Sequence, residues 1–283
     1  MTESKRDWQD LEERRAGPVR YFAGGTGEPV LLVHGLGGWA GNWQAVAPLL
    51  ARSYRVLVPD LPGHGGSERL GRKERGARSL DPFVEAVCSV LEAEGTPSAA
   101  WVGHSFGGLV GVHAAACRPE AVRALVVAAA PGISSSSKLA ELTLTALGVL
   151  RPGRVAGRHS ARASASPVLR TVLFGGWGAA DPRGLDPVAA KAFLDGARQK
   201  PDTLTAGRAL VVSDPRLELE RITCPRLCLW GACDNWVPLA DGFEYARRLR
   251  APLRAIADCG HLLIGERPDA VAAAVERFLE ASR

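Results

Sequence analysis

The sequence predicts an α/β fold: a mostly parallel sheet covered by helices on both faces, with a helical block inserted between the strands at Ala124–Ala129 and Arg226–Trp230. Three observations carry this. Short, continuously apolar runs rich in β-branched residues recur along the chain, as in strands shielded on both sides. Between them lie stretches with apolar residues at helical spacing. The alternation then stops between Ile133 and about Arg221, where helical segments and Gly/Pro loops succeed one another without a clear strand.

In chain order, the charged stretch 1–16 reads as a solvated arm or short helix. Val19 to Phe22 forms the first strand, and Gly24-Gly25-Thr26-Gly27 turns the chain into Pro29 to Val33. After the loop His34-Gly35-Leu36-Gly37-Gly38, Asn42 stands where it can cap a helix carrying Trp43, Val46, Ala47 and Leu50. Tyr54 to Pro59 is the next strand, and Asp60 to Ser67 is too rich in Gly and Pro to be other than loop. Asp81-Pro82 opens a helix whose stripe is Phe83, Val84, Val87, Val90 and Leu91, and Gly95 ends it. Ala99 to Val102 is a buried strand, Leu109 to Cys117 a helix stopped by Pro119, and Ala124 to Ala129 another strand. Within the inserted block, Leu139, Leu142, Ala146 and Leu150 make one apolar stripe, and Pro187 to Ala197 suggests a helix. Alternation resumes with a strand at Arg226 to Trp230, a helix at Leu239 to Leu249 and a strand near Leu253 to Ile256. A last helix carries Val271, Val275, Phe278 and Leu279. The chain thus divides into an arm (1–16), a core (17–132 and 222–283) and a helical lid (133–221).

Composition narrows the function. At 283 residues, 46% apolar and 23% charged, the chain can bury a sizeable core. The net charge of +5 is spread along the sequence without aromatic interleaving, which argues against nucleic-acid binding. No run of 18 apolar residues offers a membrane span, and the charged start lacks a signal-peptide core, so the expected location is cytoplasmic. The six cysteines, Cys88, Cys117, Cys224, Cys228, Cys233 and Cys259, are scattered as reduced thiols would be. Cys224, Cys228, Cys233, Cys259 and His261 contain no C-x-x-C pair, so neither a metal nor another cofactor is expected.

The chemistry concentrates at Gly103-His104-Ser105-Phe106-Gly107, a G-x-S-x-G between a strand and a helix. Such a turn is sharp enough to strain the serine and lift its Oγ clear of the sheet, and the flanking glycines leave room where strand and helix nearly touch. In open α/β sheets functional groups gather at the carboxyl ends of strands. Just past those ends stand His34-Gly35-Leu36, Asp60, Ser105, Gly231-Ala232-Cys233-Asp234 and Asp258-Cys259-Gly260-His261. A serine, an acid and a histidine converge in that order. Asp234 could instead only cap its own turn, and Asp258 is a rival acid held back by lying three residues from His261. His34, His64, His104 and His113 read as structural, and Asp60 as stabilising its Gly-rich turn.

On these motifs, together with Trp230-Gly231-x-x-Asp234-x-x-Val237-Pro238 and Gly260-His261, the chain resembles the α/β-hydrolase-fold enzymes, which implies a helical cap inserted after the family's sixth strand. The resemblance implies Ser105 as nucleophile, Asp234 as triad acid and His261 as base. It also implies an oxyanion hole made by the backbone N–H groups of Leu36 and Phe106. The family's haloalkane dehalogenases and epoxide hydrolases carry an aspartate at the elbow, which Ser105 argues against. The expected activity is hydrolysis of a small or medium carboxylic ester through an acyl-enzyme. The alternatives are a C–C hydrolase of ring-cleavage products and a non-catalytic ligand-binding protein, which an intact triad disfavours. The partner expected is a small molecule with an apolar part, against a wall including Trp236, Leu139, Leu142, Leu147, Phe174 and Trp177. Arg151, Arg154, Arg158, Arg162 and Arg170, with no carboxylate among them, read as a solvated face or as a grip on an anionic substrate group. Oligomeric state is not legible in the sequence.

Overall fold

A computed structural model describes residues 8–134, 157–176, 178–199 and 202–283. Eight strands form one sheet: β1 (Glu12–Ala16), β2 (Val19–Gly24), β3 (Pro29–Val33), β4 (Arg55–Pro59), β5 (Ala99–His104), β6 (Val122–Ala128), β7 (Arg226–Gly231) and β8 (Leu253–Ile256), in the order β1-β2-β4-β3-β5-β6-β7-β8. Only β1–β2 and β2–β4 pair antiparallel; every later pairing is parallel. β3, β5 and β6 are almost wholly buried, as continuous apolar runs require when helices cover both faces.

The described helices are α1 (Ala47–Leu50), α2 (Arg72–Ala77), α3 (Asp81–Ala93), α4 (Phe106–Cys117), α5 (Ser160–Ala165), α6 (Pro167–Phe174), α7 (Pro187–Arg198), α8 (Thr203–Val212), α9 (Leu239–Leu249), α10 (Leu263–Glu266) and α11 (Pro268–Ala281). α4 is apolar apart from His113 and mostly buried, packing against the sheet, with Phe106 edge-on to Phe83 of α3 at 5.2 Å. α5 to α8 lie between β6 and β7 and make up the described part of the helical insertion. α5 to α7 and the loops joining them hold a small core of their own, in which Ala163, Phe174, Leu185, Ala190 and Leu194 meet Leu262 from beyond β8. Phe174, expected on a pocket wall, is buried in this cluster. No helix among the described residues is long and apolar enough to cross a membrane.

Two local readings change, and one helix has no counterpart in the sequence reading. In the described part of the arm, Trp8–Asp10 is a 3-10 turn and Glu12–Ala16 is a strand paired residue for residue with β2. Its Glu-Glu-Arg-Arg sequence carries no apolar alternation because an edge strand lies open to water, and backbone pairing overrides propensity. The helix expected after Asn42 is instead a 3-10 turn, Ala40–Trp43, followed by the single turn α1. Asn42 Oδ1 accepts from Trp39 N–H at 2.9 Å, bonding backward within the turn rather than capping a following helix. α2, with Arg-Lys-Glu-Arg-Gly-Ala, has no apolar stripe to betray it.

Candidate active site

Ser105 joins β5 to α4 with φ 54° and ψ −120°, a region that costs a non-glycine residue about 1–3 kcal/mol. The turn is held by Ser105 N–H donating to Ala128 O at 2.8 Å, at the end of β6. A side chain at Gly103 would strike the carbonyl of Gly107, and one at Gly107 would strike those of Val33 and His34. That contact explains both elbow glycines.

His261 lies beyond β8, and its Nε2 stands 3.1 Å from Ser105 Oγ. Its Nδ1 lies 2.9 Å from Asp234 Oδ2, and the Asp234 side chain is 0% exposed. The other oxygen, Oδ1, accepts from Trp236 N–H at 2.9 Å and Val237 N–H at 2.8 Å. Asp234 therefore both braces its own turn and reaches the imidazole, one oxygen for each task. Asp258 lies apart: it is exposed with φ 48°, and its carbonyl accepts from Arg267. Because Oδ2 can only accept, His261 carries its proton on Nδ1 and leaves Nε2 free to take one from Ser105 Oγ. The arrangement can thus turn a poor hydroxyl nucleophile into a reactive one.

The loop 34–38 passes over Ser105, where a methyl at Gly35 would sit 3.1 Å from the serine Cβ. His34 and His64 hold that loop. His34 Nε2 accepts from Leu61 N–H at 3.0 Å, and His64 Nε2 accepts from Gly37 N–H at 3.2 Å. Burial pushes both imidazoles down to about 4, so they stay neutral acceptors at ordinary pH. Phe106 opens α4, so its N–H lies at a helix start, where amides have no helical acceptor. Asp60 braces the neighbouring loop, accepting from Gly66 N–H at 2.8 Å, Ala40 N–H at 2.6 Å and Arg20 Nε at 2.7 Å.

His104 does more than pack. Its Nε2–H donates to the backbone carbonyl of His261 at 2.8 Å, and burial pushes its imidazole down to about 3, keeping it neutral. Sequence offered no signal for this, since the two residues are 157 apart.

Trp236 lies two residues beyond Asp234 with 44% of its surface exposed. Leu139, Leu142, Leu147, Trp177, Arg151 and Arg154 lie outside the described residues. Arg158 and Arg162 are exposed, whereas Arg170 turns inward and donates to the carbonyls of Ser164 (2.6 Å), Pro182 (3.1 Å) and Arg183 (2.5 Å). Arg170 is buried and commits three of its five N–H donors to backbone carbonyls, so it braces the inserted block rather than facing solvent. All six cysteines are free thiols.

A serine, a histidine and a buried carboxylate in line at the carboxyl edge of a mostly parallel, helix-covered sheet make the arrangement that hydrolases use. The chain belongs to the alpha/beta hydrolase family, whose profile matches residues 30–274. It is 32% identical over 216 residues to the pimeloyl-[acyl-carrier protein] methyl ester esterase of Vibrio cholerae, covering 76% of this chain and 79% of that one. It is 30% identical over 285 residues to the magnesium-chelatase 30 kDa subunit of Rhodobacter capsulatus, covering 94% and 93%. A shorter match, 40% over 114 residues and 39% of each chain, relates it to the 2-hydroxymuconate semialdehyde hydrolase of a Pseudomonas species.

Proposed function

We propose that the protein is a serine hydrolase that cleaves a small or medium carboxylic ester through an acyl-enzyme on Ser105. The observation that carries this is the continuous chain Asp234 Oδ2–His261–Ser105 Oγ, at 2.9 Å and 3.1 Å. Ser105 Oγ attacks the ester carbonyl as His261 Nε2 takes its proton, and Asp234 stabilises the imidazolium. The N–H groups of Leu36 and Phe106 receive the oxyanion, each worth on the order of 10²–10³ in rate. Collapse expels the alcohol, protonated by His261, and water then releases the acid by the same path. The block 133–221 acts as a cap, and Trp236, two residues beyond Asp234 and part-exposed, forms part of the apolar wall for the acyl group.

The likeness to the Vibrio esterase supports this reading. C–C cleavage of an acid-bearing ring-fission product is the second reading, favoured by the shorter match to the semialdehyde hydrolase. It would need a cation for the substrate acid, and Arg170 is already committed to backbone carbonyls. The third reading, a non-catalytic ligand-binding protein, is opposed by the alignment of Ser105, His261 and Asp234.

The test is a fluorophosphonate probe and then peptide mass spectrometry, run beside p-nitrophenyl esters of graded chain length and a dienol C–C substrate. The expected result is an adduct on Ser105, lost in a folded Ser105→Ala variant, and turnover of the short esters. An adduct elsewhere, or none on folded protein, overturns the assignment. Faster turnover of the dienol moves the chemistry to the second reading.

A further inference from the structure

The triad explains the side chain of His261 and leaves its backbone unexplained. His261 rides on a loop after β8, and loops are the mobile part of a fold. Here the loop is gripped at three successive residues. Gly260 N–H donates to both carboxylate oxygens of Glu266, at 3.0 Å and 3.1 Å. His261 O accepts from His104 Nε2 at 2.8 Å. Leu262 N–H donates to Gly178 O at 2.8 Å, so that grip comes from the helical insertion. Glu266 also reaches the insertion, since its Oε2 accepts from Ala180 N–H at 2.8 Å. The two backbones nearly touch. A side chain at Gly260 would lie 2.8 Å from Ala180 N and 2.9 Å from Gly178 O, so only glycine lets segment 178–180 seat against the loop.

We infer that Glu266 is the positioning residue of this site, its carboxylate holding the backbone of Gly260 and bolting the His261 loop to segment 178–180 of the insertion. This rests on the triad reading of Ser105, His261 and Asp234. Glu266 touches no reacting atom; it acts by fixing where the imidazole stands. A hydrogen bond from a backbone amide to an ionised acceptor is among the stronger ones a loop can make, and here one side chain serves two amides from different parts of the chain. The 3.1 Å approach of His261 Nε2 to Ser105 Oγ therefore depends on where the insertion sits, and a shift of segment 178–180 moves the base.

The full-length protein tests this with Glu266→Ala, Glu266→Gln and Glu266→Asp. Turnover of p-nitrophenyl acetate is read beside the low-field proton resonance of His261 Nδ1–H, identified by its loss in His261→Ala. Because a misplaced catalytic group costs up to about 10² in rate, Glu266→Ala should lower kcat by about 10- to 100-fold. KM should stay within about threefold, as expected when the lost interaction acts on the reacting geometry rather than on substrate binding. The low-field resonance should broaden or vanish while the protein unfolds cooperatively. Oε2 alone lies within reach of both amides, while the amide nitrogen of Glu266→Gln replaces Oε1 opposite Gly260 N–H, so glutamine should rescue part of the rate and the resonance and stand clearly above alanine. Glu266→Asp keeps the charge but is one methylene too short for both amides, and should fall with alanine rather than glutamine. Should the alanine variant not fold, the contrast between aspartate and glutamine carries the test. Folded Glu266→Ala or Glu266→Asp with wild-type kcat and an unchanged resonance overturns the inference. Failure of the triad reading looks different: Ser105→Ala would keep its turnover, while the resonance, which needs no substrate, still reports on Glu266.

Discussion

His113 supplies a pH-dependent contribution to stability that can be worked out from its neighbours. It sits mid-way along α4, with Nδ1 2.6 Å from Glu218 Oε1 and Nε2 2.7 Å from Asp81 Oδ1. Two carboxylate acceptors require both ring nitrogens to donate, so the ring is an imidazolium that ties α4 to the start of α3 and to the chain leading into β7. The bond to Glu218, and after it the bond to Asp81, raises its pKa from 6.5 to about 9 against the opposing effect of burial. Since the folded value lies above the unfolded one, the stabilisation is fully present below about pH 6.5 and is lost as pH rises through about 9. A rise of that size is worth at most about 3.4 kcal/mol. The Asp81 side chain is 60% exposed, so solvent screens its share, and about 1–2 kcal/mol is the expected net figure. The assay is denaturant unfolding of wild type and His113→Gln across pH. Wild type should lead by about 1–2 kcal/mol near pH 6 and by about zero near pH 10. A lead that is constant with pH, or that grows as pH rises, would refute the charged clamp.

Other outcomes are expected at the site and in the insertion. Asp234→Asn keeps an oxygen for Trp236 and Val237 N–H but presents a donor to His261 Nδ1, so kcat should fall by at least about 10² with little change in Tm. Asp258→Asn should leave kcat nearly unchanged, and a reversal of the two effects would move the triad acid to Asp258. Arg170→Ala leaves three carbonyls without their charged donor and should cost about 2–4 kcal/mol, read as a lower Tm or early proteolysis between 157 and 199. Trp236→Ala should raise KM for longer acyl esters more than for acetate, since its indole is proposed as pocket wall; equal effects on all chain lengths would remove it from the wall.

The strands that carry the site were legible because burial on both faces forces continuous apolar runs, and those runs announce where each strand ends. Ser105, Asp234 and His261 were found by reading the residues just past such ends. The glycines at 103 and 107 were equally readable, since a tight strand-to-helix turn excludes side chains. β1 was not readable, because an edge strand open to water needs no apolar alternation, and its evidence is a partner strand rather than a pattern. Choosing between Asp234 and Asp258 needed only a ranking in sequence, but the physical reason lies in the fold: one carboxylate is buried against an imidazole and the other faces solvent. The arginine run looked like one surface, yet tertiary packing turned Arg170 inward onto three carbonyls. Glu266 gave no signal at all, and His104 read as structural without any sign of which carbonyl it holds. Local sequence specifies which residues end a strand or strain a turn, because those effects act over a few bonds. What grips the backbone of His261 is decided by segments from opposite parts of the chain, which meet only when the sheet and its insertion have packed.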